Sequence, residues 1–253
     1  MKPNRVFLRG DTHGNFYSWL PQWCEGEETT INDILIILGD SGLRFEGAAR
    51  AREQNRKEFV AKHPITIFAV RGNHDRPFTP ELCSDVELTA CPFIDGVNNL
   101  MWHDKAYPNI WYFNELDPIF YICGQSFLVL PGAYSIDKDW RKIMHWTWYE
   151  DEQLSRKQQL DYLDQIHDKM FDHVLSHTCP IEWQPIDLFM RSIDQSRVDS
   201  STEEWLSDVL KYIGYNHWWF GHYHANREYG FVGNYDDIQG ETTMLYDKIV
   251  RII

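Results

Sequence analysis

Five short stretches of this sequence hold aspartates, histidines and an asparagine in similar settings. GNHD, residues Gly72 to Asp75, follows the apolar run Ile65 to Val70. GDTHG spans Gly10 to Gly14, GD is Gly39-Asp40, SHT runs from Ser176 to Thr178, and GHYH from Gly221 to His224. Each follows a run that reads as a strand, so the polar side chains are expected just past strand carboxyl ends, where open α/β sheets place ligand sites. Collected, they are Asp11, His13, Asp40, Asn73, His74, His177, His222 and His224, drawn from five predicted strands. Two carboxylates, an amide oxygen and several imidazoles make a mixed N/O ligand set without thiolate. Such a set suits Mn²⁺, Fe²⁺/³⁺ or Zn²⁺ better than Ca²⁺. There are too many ligands for one tetrahedral ion and enough for two ions that share a carboxylate.

The elements that must position these residues can be read along the chain. Arg5 to Arg9 reads as a strand, Asn15 to Trp23 as a helix capped by Asn15, and Ile34 to Leu38 as a strand. Glu46 to His63 reads as a helix stopped by Pro64, and Ile65 to Val70 as a third strand. This is the βαβαβ rhythm of a parallel sheet. The aromatic segments Leu100 to His103, Asn109 to Phe113, Ile119 to Cys123 and Phe127 to Leu130 are separated by turn chemistry and predict a mostly antiparallel second sheet. Glu150 to Met170 reads as helical, Asp172 to Ser176 as a strand, Thr202 to Ile213 as a helix and His217 to Phe220 as a strand. Arg227 to Phe231 and Thr243 to Ile253 are expected to close the second sheet. The expectation is one α/β domain over residues 1–253: two mixed β-sheets packed face to face and flanked by helices.

Composition bounds the partners. The chain has 253 residues, 43% of them hydrophobic, and a formal net charge of -14. So acidic a surface repels polyphosphate backbones, so duplex nucleic acid is not an expected partner. A small phosphorylated substrate is still allowed, because bound metal reverses the local field. The five cysteines are scattered without C-x-x-C spacing, which predicts buried free thiols. The start MKPN leaves no room for a signal peptide, and the apolar runs are too short to cross a bilayer, so a cytoplasmic protein with no membrane partner is expected.

The ordered set GDTHG, GD, GNHD, H and GHYH resembles the calcineurin-like metallophosphoesterase superfamily, over nearly the whole chain from Asp11 to His224. The resemblance implies the four-layer α/β/β/α fold and metal-dependent hydrolysis of phosphoester bonds by a phosphatase or phosphodiesterase. It implies one ion on Asp11, His13 and His224, another on Asn73, His177 and His222, and Asp40 between them. It implies that His74 faces the substrate as the catalytic residue and is not a ligand. Two divalent ions, with manganese the first expectation and iron or zinc fitting the same set, can generate a bridging hydroxide and clamp a phosphoryl group. The ligating imidazoles must be neutral, so activity is expected to fall in acid.

Departures narrow the subfamily. GDTHGN and RGNHD resemble the protein Ser/Thr phosphatases, whose second motif extends to GD-x-x-D-R-G; here it reads GDSGLRF. Arg44 falls where that family's phosphate-binding arginine lies, and Leu43 replaces an aspartate that would orient the catalytic histidine. Arg76 is a second candidate phosphate contact, and Asp75 a candidate to orient His74. The loop Tyr134 to Tyr149 is rich in Trp and charge; Tyr134 and Arg141 are candidate substrate contacts, with aromatics able to stack on a nucleobase or other planar group. A nucleotide is therefore one candidate substrate. A protein phosphatase-like enzyme, a single-strand nucleic-acid nuclease using that loop, and a scaffold without chemistry stay open as alternatives. The Trp-rich segments could also supply a homo-oligomer contact.

Overall fold

Short runs of β-branched and large apolar residues build the centre of the molecule, and their period-two alternation sends neighbouring side chains to opposite faces. The structure is a computed structural model that describes residues 2–45, 50–96, 100–233 and 239–253. In chain order the elements begin β1 (Val6–Arg9), α1 (Leu20–Gly26), β2 (Ile34–Ile37), α2 (Arg50–Ala61), β3 (Thr66–Ala69), β4 (Val86–Ala90), β5 (Leu100–Asp104) and β6 (Ile110–Phe113). They continue with β7 (Ile119–Ile122), β8 (Gln125–Leu130), α3 (Lys138–Ile143), α4 (Arg156–Ile166), β9 (Met170–Ser176), α5 (Ser201–Tyr212), β10 (Gly214–Phe220), β11 (Arg227–Gly233), β12 (Gln239–Met244) and β13 (Val250–Arg251).

Two mixed sheets result. The first has seven strands in the order β13-β1-β2-β3-β6-β5-β4, and the second six in the order β11-β12-β10-β9-β8-β7. Strands β1, β2, β3 and β6 run parallel, as do β8, β9, β10 and β12; the remaining pairings are antiparallel.

The alternation sorts the apolar side chains into three layers of core. Val6, Leu8, Ile34, Ile36 and Phe68 of the first sheet meet Phe120, Phe127, Val129, Leu175 and Trp219 of the second. Phe7, Leu35, Ile37 and Ile67 face the other way, onto Phe16, Leu20 and Val60 around α1 and α2. Leu128, Val174, Trp218 and Phe220 face Tyr162, Ile166, Trp205, Leu206 and Val209 of α4 and α5. Helix, sheet, sheet, helix is the four-layer α/β arrangement the sequence predicts. Burying one such large side chain stabilises by about 1.5–3 kcal/mol, so the alternation specifies the layer order strongly.

Several local expectations need correction. The aromatic segments do not form one antiparallel sheet: β5 and β6 extend the first sheet, whereas β7 and β8 enter the second. All four residues of β6 are buried, so it could sit beside parallel β3, and a short apolar run does not say which sheet it joins. The centre of the second sheet is parallel, and β13 pairs with β1 rather than with the second sheet. Helix α1 starts at Leu20, not Asn15; Pro21 in its first turn fits that start, and Asn15 lies in the preceding turn, accepting from Ser18 Oγ. Helix α4 is shorter than predicted and starts at a capping box, with Ser155 and Gln158 bonded reciprocally. The predicted helix start at Glu46 lies outside the described residues.

Candidate metal centre

The carboxyl ends of β1, β2 and β3 in one sheet, and of β9 and β10 in the other, open onto the same place, because both sheets are parallel at their centres. The chain leaves these strands in unusual conformations. His13, Asp40, His222 and His224 all have positive φ, at 46°, 47°, 71° and 51°. Left-handed backbone costs a non-glycine residue about 1–3 kcal/mol and clusters at functional sites. Here it turns the side chains back across the strand ends. Room is made as well: Gly221 lies against Asp11, and a Cβ there would overlap Asp11 Oδ1 and meet the Leu38 carbonyl oxygen at 3.0 Å.

The donors converge in two groups. Asp11, His13 and His224 form one; Asp11, Asp40 and His177 form the other, so Asp11 belongs to both. His13 Nε2 and His224 Nε2 lie 2.8 Å apart, and they approach Asp11 Oδ2 to 3.8 and 3.4 Å. Ligand bonds of about 2.0–2.2 Å put neighbouring donors of one ion roughly 3 Å apart, so this spacing fits a cation. Asp11 Oδ1 accepts the His222 backbone N–H, while buried Oδ2 has no hydrogen-bond partner among the described residues.

In the second group, His177 Nδ1 donates to the Leu38 carbonyl at 2.8 Å, which leaves Nε2 with its lone pair free. That lone pair faces Asn73 Oδ1 at 2.9 Å and Asp40 Oδ1 at 3.6 Å. Asn73 Nδ2 already donates to Ser135 Oγ, so the amide presents oxygen, not hydrogen, to His177. A ring nitrogen and an amide oxygen 2.9 Å apart in a buried place need a proton or a metal cation between them. The His222 ring packs 5.0 Å from that of His177, edge to face.

Electrostatics point the same way. Burial, followed by the charges of Asp11 and Asp75, pushes the Asp40 carboxyl well above the usual range. Burial holds the His13 imidazole down at about 4 and that of His222 at about 3, so both are neutral bases at physiological pH. His224 is instead raised by the Asp11 carboxylate 3.4 Å away. Neutral imidazoles beside buried carboxylates are a donor set in search of positive charge.

His74 occupies the edge of this cluster. Its backbone N–H donates to Asp40 Oδ1, and its Nε2 stands 3.6 Å from Asp40 Oδ2 and 3.4 Å from Arg141 Nη2. Arg141 comes from α3 and is held by Asp137 Oδ2 at 2.8 Å and the Thr147 carbonyl at 3.2 Å. Tyr134 and Asp137 line a cavity of about 470 Å³ that opens beside Asp40, Asn73, His74, His222 and His224. The Trp-rich loop thus divides: Arg141 reaches His74, Trp148 bonds Glu152, and Trp140 and Trp146 stay exposed.

The other two arginines are not brought here. Arg44 is buried against Asp85, the Leu82 carbonyl and the Phe78 ring, and Arg76 is buried against Glu53 and Asp85. Lys57 joins them on Glu53, Asp85 and Asp104. This network ties α2 to the chain after GNHD, and it leaves neither guanidinium among the residues that line the cavity. Asp75 accepts the Gly72 N–H and so braces the turn. Leu43 is buried among Phe16, Leu20 and Val60. Sequence reasoning missed Leu188, Phe189, Met190 and Glu203, which line the same cavity. They come from the polar insertion after β9 and from α5, where no motif marks them.

Strand-end aspartates and histidines between two stacked mixed sheets define a metallophosphoesterase architecture. The chain belongs to the calcineurin-like phosphoesterase family, whose profile matches residues 5–226. The family implies divalent metal ions and hydrolase chemistry. No curated protein sequence matches it. Among solved structures it is similar to phosphopantetheinyl hydrolase from Mycobacterium tuberculosis, at 14% identity and a TM-score of 0.47, over 97% of this chain and 90% of that one. No helix among the described residues is long and apolar enough to cross a membrane.

Proposed function

We propose that this protein hydrolyses a small phosphoester at a dinuclear centre. Asp11, His13 and His224 would hold one divalent ion, Asn73, His177 and His222 the other, and Asp40 would lie between, with manganese the first choice over iron or zinc. The close approach of buried His177 Nε2 to Asn73 Oδ1, with Asp40 Oδ1 3.6 Å from the same nitrogen, carries this reading, because a cation held by all three would account for it. When bound, the ions supply Lewis-acid charge for activating water and for clamping phosphoryl oxygens.

The chain's own residues do the rest. Arg141, fixed by Asp137 and Thr147, keeps one amino group directed at the site and would draw a phosphoryl oxygen toward it. His74 Nε2, between Asp40 and Arg141, would relay a proton to the leaving oxygen, entering as the neutral imidazole because burial, then the charge of Arg141, holds it down at about 2. Tyr134, buried with the Lys138 ammonium 4.3 Å from its ring centroid, would shape the entrance. Arg44 has no substrate role in this proposal, which weakens the protein phosphatase alternative. A cytoplasmic setting is part of the same reading.

Two substitutions test the roles. Asp40→Asn should lose both metal and turnover, and His74→Asn should keep its metal while turnover falls about 10²–10⁴-fold. Metal loss from a folded His74→Asn protein would make His74 a ligand and overturn its assignment.

A further inference from the structure

The cavity beside the metal centre has two unlike sides. One is formed by Asp40, Asn73, His74, His222 and His224. The other, from the insertion between β9 and α5, is a mainly apolar wall of Leu188, Phe189, Met190 and Val198 that also carries the uncharged polar Gln184, Gln195 and Ser200. That wall is anchored. Trp183 is buried with its ring edge-on to Trp218 at 5.1 Å, and the Ile181 N–H bonds Ser207 Oγ. Asp187 makes a bidentate pair with Arg227 at 2.9 and 2.7 Å. Phe189 stacks on Tyr223, the residue between His222 and His224, at 6.2 Å and 19°. The apolar surface therefore begins within one ring of the candidate ligands.

The charge of the lining is as informative. It includes Asp137 and Glu203, and no lysine or arginine. Glu203 is only 5% exposed; its Oε1 accepts from Thr178 Oγ1 at 2.9 Å, and its Oε2 has no hydrogen-bond partner among the described residues. A second phosphate or a carboxylate placed in this arm would meet the unpartnered Glu203 Oε2, and the nearby Arg141 guanidinium is already held by Asp137 and directed at His74.

Resting on the phosphoester reading above, we infer that the arm receives the organic half of the substrate, and that this half is apolar and carries no second anionic group. The substrate class is a phosphoester of a lipophilic, neutral or cationic alcohol. Nucleoside polyphosphates, sugar bisphosphates and phosphorylated hydroxy acids fall outside it.

Calorimetric titration of the metal-loaded protein with methylphosphonate, butylphosphonate and 3-carboxypropylphosphonate tests this without relying on turnover. Each methylene buried in the arm tightens binding by about fourfold, so butylphosphonate should bind at least about tenfold tighter than methylphosphonate. The carboxylate should abolish that gain. Leu188→Asp and, as a milder change at a more exposed position, Met190→Ser should each shrink the butyl-to-methyl ratio. Equal affinity for the methyl and butyl compounds, or tighter binding of the carboxylated one, would overturn the inference and leave the phosphoester reading standing. Failure of all three to bind a metal-loaded protein would overturn the phosphoester reading, and the inference with it.

Discussion

Glu203→Gln should make the protein's stability markedly less sensitive to pH. Glu203 sits on α5 with its side chain buried, one carboxylate oxygen bonded to Thr178 and the other without a partner among the described residues. Burial pushes its carboxyl from 4.5 up to about 7. A carboxyl whose folded pKa lies above its unfolded one binds more protons when folded. Its contribution is therefore most favourable below the unfolded value, is lost as pH rises toward the folded value, and is flat beyond it. Integrated between about pH 5 and pH 8, that shift costs the native state roughly 2–3 kcal/mol. Glutamine keeps an oxygen for Thr178 and cannot ionise. Its amide hydrogens lack a partner, which costs about 1–3 kcal/mol, but equally at both pH values. The assay is urea unfolding of both proteins at each pH with chelator present. The stability of the variant relative to wild type should rise by roughly 2–3 kcal/mol from about pH 5 to pH 8. A difference that stays constant would show that Glu203 ionises normally, and the desolvation argument would be wrong.

Two further outcomes follow from the geometry. Gly221→Ala should weaken metal binding about 10–100-fold in a chelator competition, because its Cβ would displace Asp11, whose other oxygen serves the His13 and His224 group; unchanged affinity would mean that Asp11 does not depend on that space. Arg141→Ala should lower kcat/KM by about tenfold or more with metal content intact, and Arg141→Lys should not restore it, since a point charge lacks the planar fork; unchanged kcat/KM in the alanine variant would remove Arg141 from phosphoryl contact.

How much could be read in the sequence depended on the range of the interactions involved. The central strands were legible because Val6 to Leu8 and Ile34 to Ile37 are short, apolar and followed by glycine-aspartate turns. The motif residues share one local grammar, a strand followed by a sharp turn, and local grammar survives in sequence. Sheet membership did not, because Ile110 to Phe113 would be equally apolar in either sheet. Arg44 misled for a related reason. The resemblance to the protein Ser/Thr phosphatases placed it near the centre, but Asp85, some forty residues on, holds its guanidinium, and long-range ion pairs leave no periodic trace. The apolar wall was invisible because Leu188, Phe189 and Met190 lie in a segment of short 3₁₀ turns without strand or helix periodicity. Only the fold brings Phe189 onto Tyr223.

The most direct test of the central claim is metal content measured together with phosphoester hydrolysis on one preparation. Purified protein, stripped and reloaded with manganese, iron or zinc, should hold about two ions per chain and hydrolyse p-nitrophenyl phosphate or its bis ester, with activity lost on chelation and regained on reloading. A folded protein that binds no metal, or that hydrolyses the esters equally well after stripping, would contradict the account.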